Sequence, residues 1–446
     1  MPNPHPTGPS GSFRRTLACQ VGAAALAALG LFAAPAHAAD NDLYRPVPAE
    51  AGTAIPSASI NFAMRPYADN TFYVIALKKG WFKDVGITIT PEPLGLKVTD
   101  TNATALLLNG QVDISTEFCP LMLPTYKTSK LLKCIAFTDN FLANTILANP
   151  ALHLKSFKDY IAEGKSFEEA IHAAVAPLAG KTLVGAPELS DRPFEEAVQG
   201  FAKVKWNLQV LDDSKSLVLA KAGREDFVNP EGAPIVYTLK QAGWTVLIDN
   251  GDLYKYGPSG VDSPIEHLVA IVGIGANADY VNSHQNTVLR FLSVVWRTIE
   301  AVDKDPSLFD LQAPYLNSVA GTSLDGKGVE STVKTLDPFS SFDYDATYFA
   351  KTDGVLYYRN AWSAIIGDYE AHGIMPKGAV TADSFVWAAP IWKQMAEYRG
   401  RTDALFKGLE GKTLDAPKQA LLARAKELYG WYDFLDAYRL ASAAAE

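Results

Sequence analysis

The tightest constraint on this chain lies between Ile60 and Glu117, where apolar spacing switches repeatedly between the period of a strand and that of a helix. Ser59–Met64 alternates as a strand should. Pro66–Lys79 places Phe72, Val74, Ile75 and Leu77 at positions suited to a helix leaning on a sheet, and Gly80 stands where a helix needs a left-handed final residue. Ile87–Thr90 is a β-branched run stopped by Pro91. Asp100–Leu108 reads as a second helix closed by Asn109-Gly110, and Val112–Thr116 as a third strand. Strand and helix alternating through short connections imply a parallel sheet with crossover helices, an α/β fold.

Two stretches of this unit carry a family resemblance. Lys79-Gly-Trp-Phe-Lys-Asp-Val-Gly-Ile resembles a segment of ABC-importer solute-binding proteins of the nitrate/sulfonate/taurine/bicarbonate type, whose fold is shared by thiamine-pyrimidine precursor binders and synthases. Asn109-Gly-Gln-Val-Asp-Ile is similar to a second segment of the same group. Further on, the run around Val288–Ile299 resembles the group's re-entry helix, and Trp362–His372 followed by Gly373-Ile-Met-Pro resembles its last helix. The resemblance spans roughly residues 58–380. It implies a two-lobed, type II periplasmic-binding-protein-like fold with two hinge crossovers, and it leaves a C-terminal stretch without counterpart.

The rest of the chain fits an exported protein. Arg14-Arg15, the apolar run Val21–Ala34 and the Ala36-His37-Ala38 site form an export signal of Sec or twin-arginine type, cleaved after Ala38. Net charge is −9, and −11 once the first 38 residues with their two arginines are removed, which argues against non-specific binding to nucleic acid or anionic membranes. No later apolar run is long enough to span a bilayer. The expected plan is a signal peptide 1–38 and a flexible lead-in 39–56, then a first lobe of 57–150 plus 266–380 and a second lobe of 180–255. Crossovers occupy 151–179, with an inserted helix at 161–177, and 256–265; a helical extension follows at 385–446. Export leaves Cys119 and Cys134 in an oxidising compartment, where a disulfide is tempting. Placed at opposite edges of a parallel sheet, the two would lie too far apart, so the expectation is two free, buried thiols.

In open α/β sheets, ligands sit beyond the carboxyl ends of the strands, against helix N-termini. That rule selects Arg65, Tyr67, Asp69 and Asn70 after the first strand, Glu117 and Phe118 after the third, and Asp139 and Asn140 after the fourth. From the second lobe it selects Ser190, Asp191, Arg192, Phe194 and Glu231. Arg65 and Arg192 are candidate anion clamps, against the plain alternative of local salt bridges to Asp69 and Asp191. Tyr67, Phe118 and Phe194 could sandwich an organic ligand. Glu117, Asp139 and Glu231, if all face the cleft, would suit an amine, an amidine or a polar heterocycle better than nitrate.

Catalytic and metal residues are expected to be none. Histidines 153, 172, 267, 284 and 372 show no metal-ligand spacing, and neither a nucleophile elbow nor a phosphate loop occurs. No cofactor is expected. The resemblance implies a monomeric periplasmic receptor that hands a small polar or anionic solute to an inner-membrane ABC permease; sulfonate, taurine, nitrate, bicarbonate and carboxylate are the implied classes. Three alternatives stay open: a binder of an amine or pyrimidine-type ligand, an enzyme of pyrimidine-precursor synthesis on the same fold, and a sensor docking a signalling partner.

Overall fold

The computed structural model describes residues 42–98, 100–127, 130–186, 191–259, 263–268 and 270–446. The export signal therefore lies outside the described residues, as does Ser190. Among the described residues eleven strands follow in order: β1 (Ala58–Met64), β2 (Ile87–Thr90), β3 (Leu96–Lys97), β4 (Ile114–Glu117), β5 (Leu132–Phe141), β6 (Thr145–Ala148), β7 (Thr182–Gly185), β8 (Asn207–Val210), β9 (Phe227–Asn229), β10 (Thr245–Asp249) and β11 (Ala270–Asn277). They form two sheets. The first has the order β2-β1-β4-β11-β5, with β3 also paired to β1, and the second the order β10-β6-β9-β7-β8.

The opening unit folds as its periodicity dictates. β1 runs parallel to β2, β3 and β4, and its alternation sends Ile60, Phe62 and Met64 into one core and Ala63 into the core on the other face. A sheet covered on both faces has to be apolar on both faces. Gly80 and Gly110 adopt the left-handed conformation, φ 75° and 65°, that ends each helix. The helix expected over Pro66–Lys79 is shorter and comes in two pieces, Ala68–Thr71 and Tyr73–Lys79, so the chain after β1 begins as a loop. The sheet is not parallel throughout. β11 enters antiparallel between β4 and β5, with Gly273 opposite Glu117 on one side and Val272 opposite Asp139 on the other.

Thr145–Ala148, grouped above with the first lobe, belongs to the second sheet, antiparallel to both β9 and β10. The chain passes between sheets through the three residues Leu142–Asn144 and returns through the longer stretch between β10 and β11. The helices Phe157–Ala162 and Phe167–Val175, both opened by serine capping boxes, pack Phe157, Ile171 and Val175 against the second sheet. The inserted segment thus thickens that core.

Two further expectations are corrected. Cys119 and Cys134 form a disulfide, with Cα atoms 5.8 Å apart. The geometric objection assumed that the chain climbs away from the sheet after β4. Instead the 3₁₀ turn Cys119–Lys127 begins at once and folds back across β11 onto β5, bringing Cys119 over the start of β5. The lead-in is not loose either. Its Tyr44 hydroxyl donates to Gln394 Oε1 at 2.6 Å, Trp387 Nε1 donates to the Asp42 carbonyl at 2.9 Å, and Arg439 donates to the carbonyls of Glu50, Gly52 and Ala54 at 2.8, 3.0 and 2.9 Å.

That strap is held by the C-terminal extension, the helices Ala388–Leu409, Ala416–Gly430 and Phe434–Ala445. Trp387, Ile391, Met395, Phe434 and Leu435 share one core with Ile60, Phe62 and the long helix Gln285–Lys304. Within it Arg290 is buried and pairs with Asp436 through Nε at 2.7 Å and Nη2 at 3.0 Å, and with Glu50 at 2.6 Å. The extension is part of the first sheet's layer. No helix among the described residues is long and apolar enough to cross a membrane.

Candidate functional site

The loops beyond β1, β4 and β9 meet between the two sheets around a small cavity of about 20 Å³. Arg65, Tyr67, Asp69 and Asn70 line it from the first sheet, together with Phe118, Phe141 and Val272; Glu231 and Ala233 line it from the second. Of the thirteen residues selected from sequence, six are therefore gathered here: Arg65, Tyr67, Asp69, Asn70, Phe118 and Glu231. The loop is fixed by Gln312, whose Nε2 donates to the Ala68 carbonyl at 2.6 Å and to Thr71 Oγ1 at 2.9 Å, and by the Arg65 N–H, which donates to Thr116 Oγ1 at 2.9 Å.

Contact between the two sides is close. Arg65 Nη2 lies 3.9 Å from Glu231 Oε1, and its guanidinium sits 5.0 Å from the Tyr67 ring centre. A Cβ on Gly232 would come within 3.2 Å of two Tyr67 ring carbons, so a larger residue there would press the Tyr67 ring away from the second sheet's loop. The Gly232 N–H is in turn held by Asp213 Oδ2 at 2.7 Å.

The site is dominated by acids. Asp139 lies opposite Val272 in the β5–β11 register and so shares the cavity face. Behind it, the segment after the helix Gly326–Leu336 runs along β5, linked by Asn140 N–H to the Pro338 carbonyl at 3.2 Å and Ser340 N–H to the Thr138 carbonyl at 2.7 Å. This brings Asp337 beside Asp139 and Asp69. Asp337 is 0% exposed, and neither of its carboxylate oxygens has a hydrogen-bond partner among the described residues; the same is true of Asp139 Oδ2, the Tyr73 hydroxyl and Asn70 Oδ1.

Burial raises the Asp69 carboxyl from 3.8 to about 6, although Arg65 and the Asn70 amide pull it down. Burial, reinforced by Asp69, pushes Asp139 well above the carboxylate range, and burial with both neighbours does the same to Asp337. The Tyr73 hydroxyl is driven up by burial and by Asp139 and Asp69. Beside these carboxyls and Glu231, Arg65 is the one cationic side chain among the described residues that line the small cavity. Such a set suits a ligand that brings positive charge or several donors, and opposes a second negative charge.

The remaining sequence choices fall elsewhere. Arg192 does not reach the small cavity. It pairs with Glu196 at 3.3 Å on its own helix (Asp191–Ala202), with Asp368 of the facing helix (Tyr358–Ala371) and with Nδ1 of His372, the residue that caps that helix. Donor atoms of Glu196, Asp368 and His372 lie within 4.8 Å of one another, the arrangement a metal would need, but the Arg192 guanidinium already supplies the positive charge there. Asn140 is half-buried opposite Ile271, one residue out of phase with Asp139, and lines neither cavity. Glu117 and Asp191 are buried outside both cavities as well. Phe194 lines a second cavity of about 710 Å³ between these two helices, and Phe118 stands between the cavities, lining both.

Tyr73, Asp337, Phe141 and Val272 were missed. Asp337 lies about 200 residues from Asp139 in sequence, and no local pattern marks a segment that becomes strand-like only by lying along β5. Val272 and Phe141 were readable in principle, as apolar positions at the ends of paired strands.

No protein-family model matches the chain, and no curated protein matches it by sequence. Solved structures do. An alkanesulfonate-binding protein from Xanthomonas axonopodis pv. citri is 14% identical, with a TM-score of 0.51 over 74% of this chain and 99% of that one. The chain has the periplasmic-binding-protein fold. The periplasmic aliphatic sulphonate-binding protein of Escherichia coli (12% identity, TM-score 0.51, 75% and 99% covered) and the nitrate-binding protein of Synechocystis PCC 6803 (11%, 0.53, 76% and 89%) superpose similarly. About a quarter of the present chain is left unmatched by each.

Proposed function

We propose that the protein is the solute receptor of an ABC importer, that its two sheets are the cores of two lobes, and that the crossings at Leu142–Asn144 and between β10 and β11 act as a hinge. The single observation that carries this is the convergence of loops from both sheets on one buried polar cavity, closed by Arg65–Glu231 and Tyr67–Gly232. A ligand that touches both sides only when they are together shifts the population toward the closed form. Support for a binding role comes from the nature of the structural neighbours, which bind sulfonate or nitrate. Export through the segment 1–38 would place the receptor in the periplasm, facing a membrane permease.

The charge of the cavity favours the amine or heterocycle reading over the oxyanion one. In its ionised form Asp69, like the Glu231 carboxylate, attracts a cation and repels an oxyanion, and a bound cation would draw Asp139 and Asp337 toward ionisation. A melting-temperature panel tests this, with amines, amidines and aminopyrimidines set against sulfonates, nitrate, bicarbonate and carboxylates at pH 7.5. A ligand at 100 times its Kd adds about 2.7 kcal/mol. Stabilisation by the cationic class, lost in Asp337→Asn, is the expected result. Stabilisation by anions alone, lost in Arg65→Ala, would reverse the charge assignment, and no binding with turnover of a substrate would overturn the receptor reading.

A further inference from the structure

The larger cavity, about 710 Å³, is far bigger than a compact amine requires, and its walls are of a different kind. Phe118, Phe194, Phe201, Leu268 and Ile365 make it apolar. Of its polar lining residues, which include Glu196, Ser363 and Asp368, Asn144 at the crossing between sheets is buried, 2% exposed, and its Oδ1 has no hydrogen-bond partner among the described residues. The volume is also kept open at a cost. Gly200 lies inside the helix Asp191–Ala202 and Gly367 inside the facing helix Tyr358–Ala371; both line the cavity, and a Cβ on either would meet nothing within 4 Å. A glycine within a helix destabilises it by roughly 1 kcal/mol relative to alanine, so filling either position would favour the helix while closing the space. At its rim, Arg192 on one helix joins Asp368 and His372 on the other.

We propose that this cavity is a second compartment of the same binding site, taking the apolar or aromatic body of a solute whose cationic head sits among Asp69, Asp139, Asp337 and Glu231. The proposal rests on the receptor reading above. Phe118 is the shared wall, so a ligand spanning both cavities passes its edge. Asn144 Oδ1 offers an acceptor for a donor on the body, such as an indole or anilide N–H. The solute class is an amphipathic organic cation, an arylalkyl amine or arylamidine.

Isothermal titration with propylammonium and 4-phenylbutylammonium on the full chain tests this directly. The expected result is at least tenfold tighter binding of the aryl compound in the wild type, with the ratio of the two affinities falling to near one in Gly200→Leu and in Gly367→Leu. Melting temperatures equal to or above wild type would show that both variants fold. Equal affinity of the two amines for the wild type, or a ratio that survives both leucines, would overturn the compartment while leaving the receptor reading intact. Failure of both amines to bind would overturn the compartment together with the cationic charge assignment, and the receptor reading would then be judged on the anions of the melting-temperature panel.

Discussion

Asp69→Asn should stabilise the empty protein at neutral pH, which is the reverse of what deleting a buried charge beside an arginine usually does. Burial raises the Asp69 carboxyl from 3.8 to about 6, so between those values the folded state holds a proton that the unfolded chain releases. Folding is then opposed more strongly as pH rises through this window, and the penalty is complete above about pH 6. Two pH units at 1.36 kcal/mol each give about 3 kcal/mol at pH 7.5, falling to about 1 kcal/mol at pH 4.5. The amide mimics the protonated acid and keeps an oxygen to accept from Asn70 Nδ2, so packing is preserved. Urea unfolding of wild type and variant at both pH values reads the difference. The reasoning is refuted if the variant is less stable at pH 7.5, or if its advantage does not shrink on acidification. Asp139 and Asp337 shift in the same direction and steepen the wild-type loss of stability with pH.

Three other outcomes follow from the fold. Reduction of Cys119–Cys134, or its replacement by serines, should cost about 3 kcal/mol, the chain-entropy value for a closed loop of 15 residues, with a non-reducing peptide map showing the linkage first. Asp436→Ala leaves the buried Arg290 with Glu50 as its carboxylate partner and removes a partner of Arg439, and should cost roughly 3 kcal/mol in denaturant unfolding, whereas the joint replacement Arg290→Met with Asp436→Leu should cost far less. Deletion of 385–446 should yield an unfolded or aggregated product in circular dichroism and gel filtration, since Trp387, Ile391 and Phe434 complete the core around Phe62; a folded, monomeric truncation would contradict that packing.

The sequence was most informative where order is local. β1, β2, the helix Asp100–Leu108 and the two left-handed glycines are specified by residues within a few positions of one another, and the structure has them where periodicity puts them. The rule that ligand loops follow strand ends gathered Arg65, Tyr67, Asp69, Asn70, Phe118 and Glu231 around one cavity. It failed where orientation depended on distant chain. Asn140 follows the same strand as Asp139, but the side-chain period of two turns it to the other face. Arg192 had no visible partner within its own segment except Asp191 and Glu196; Asp368 and His372 arrive from a helix about 170 residues later. The disulfide and the strapped lead-in were misjudged for the same reason. Each depends on a return of the chain, the 3₁₀ turn in one case and the C-terminal helices in the other, that no local pattern announces.

The central claim is that the cavity between the sheets is built for positive charge, and proton release on binding tests it most directly. Titration at pH 6 of the tightest-binding amine of the panel, repeated in buffers of different ionisation enthalpy, counts the protons exchanged. A cation settling among carboxyls whose proton affinity is raised should expel protons, and its affinity should rise with pH through the range near 6 where Asp69 titrates. Net uptake of protons on binding, or tighter binding of a sulfonate at low pH, would contradict the account.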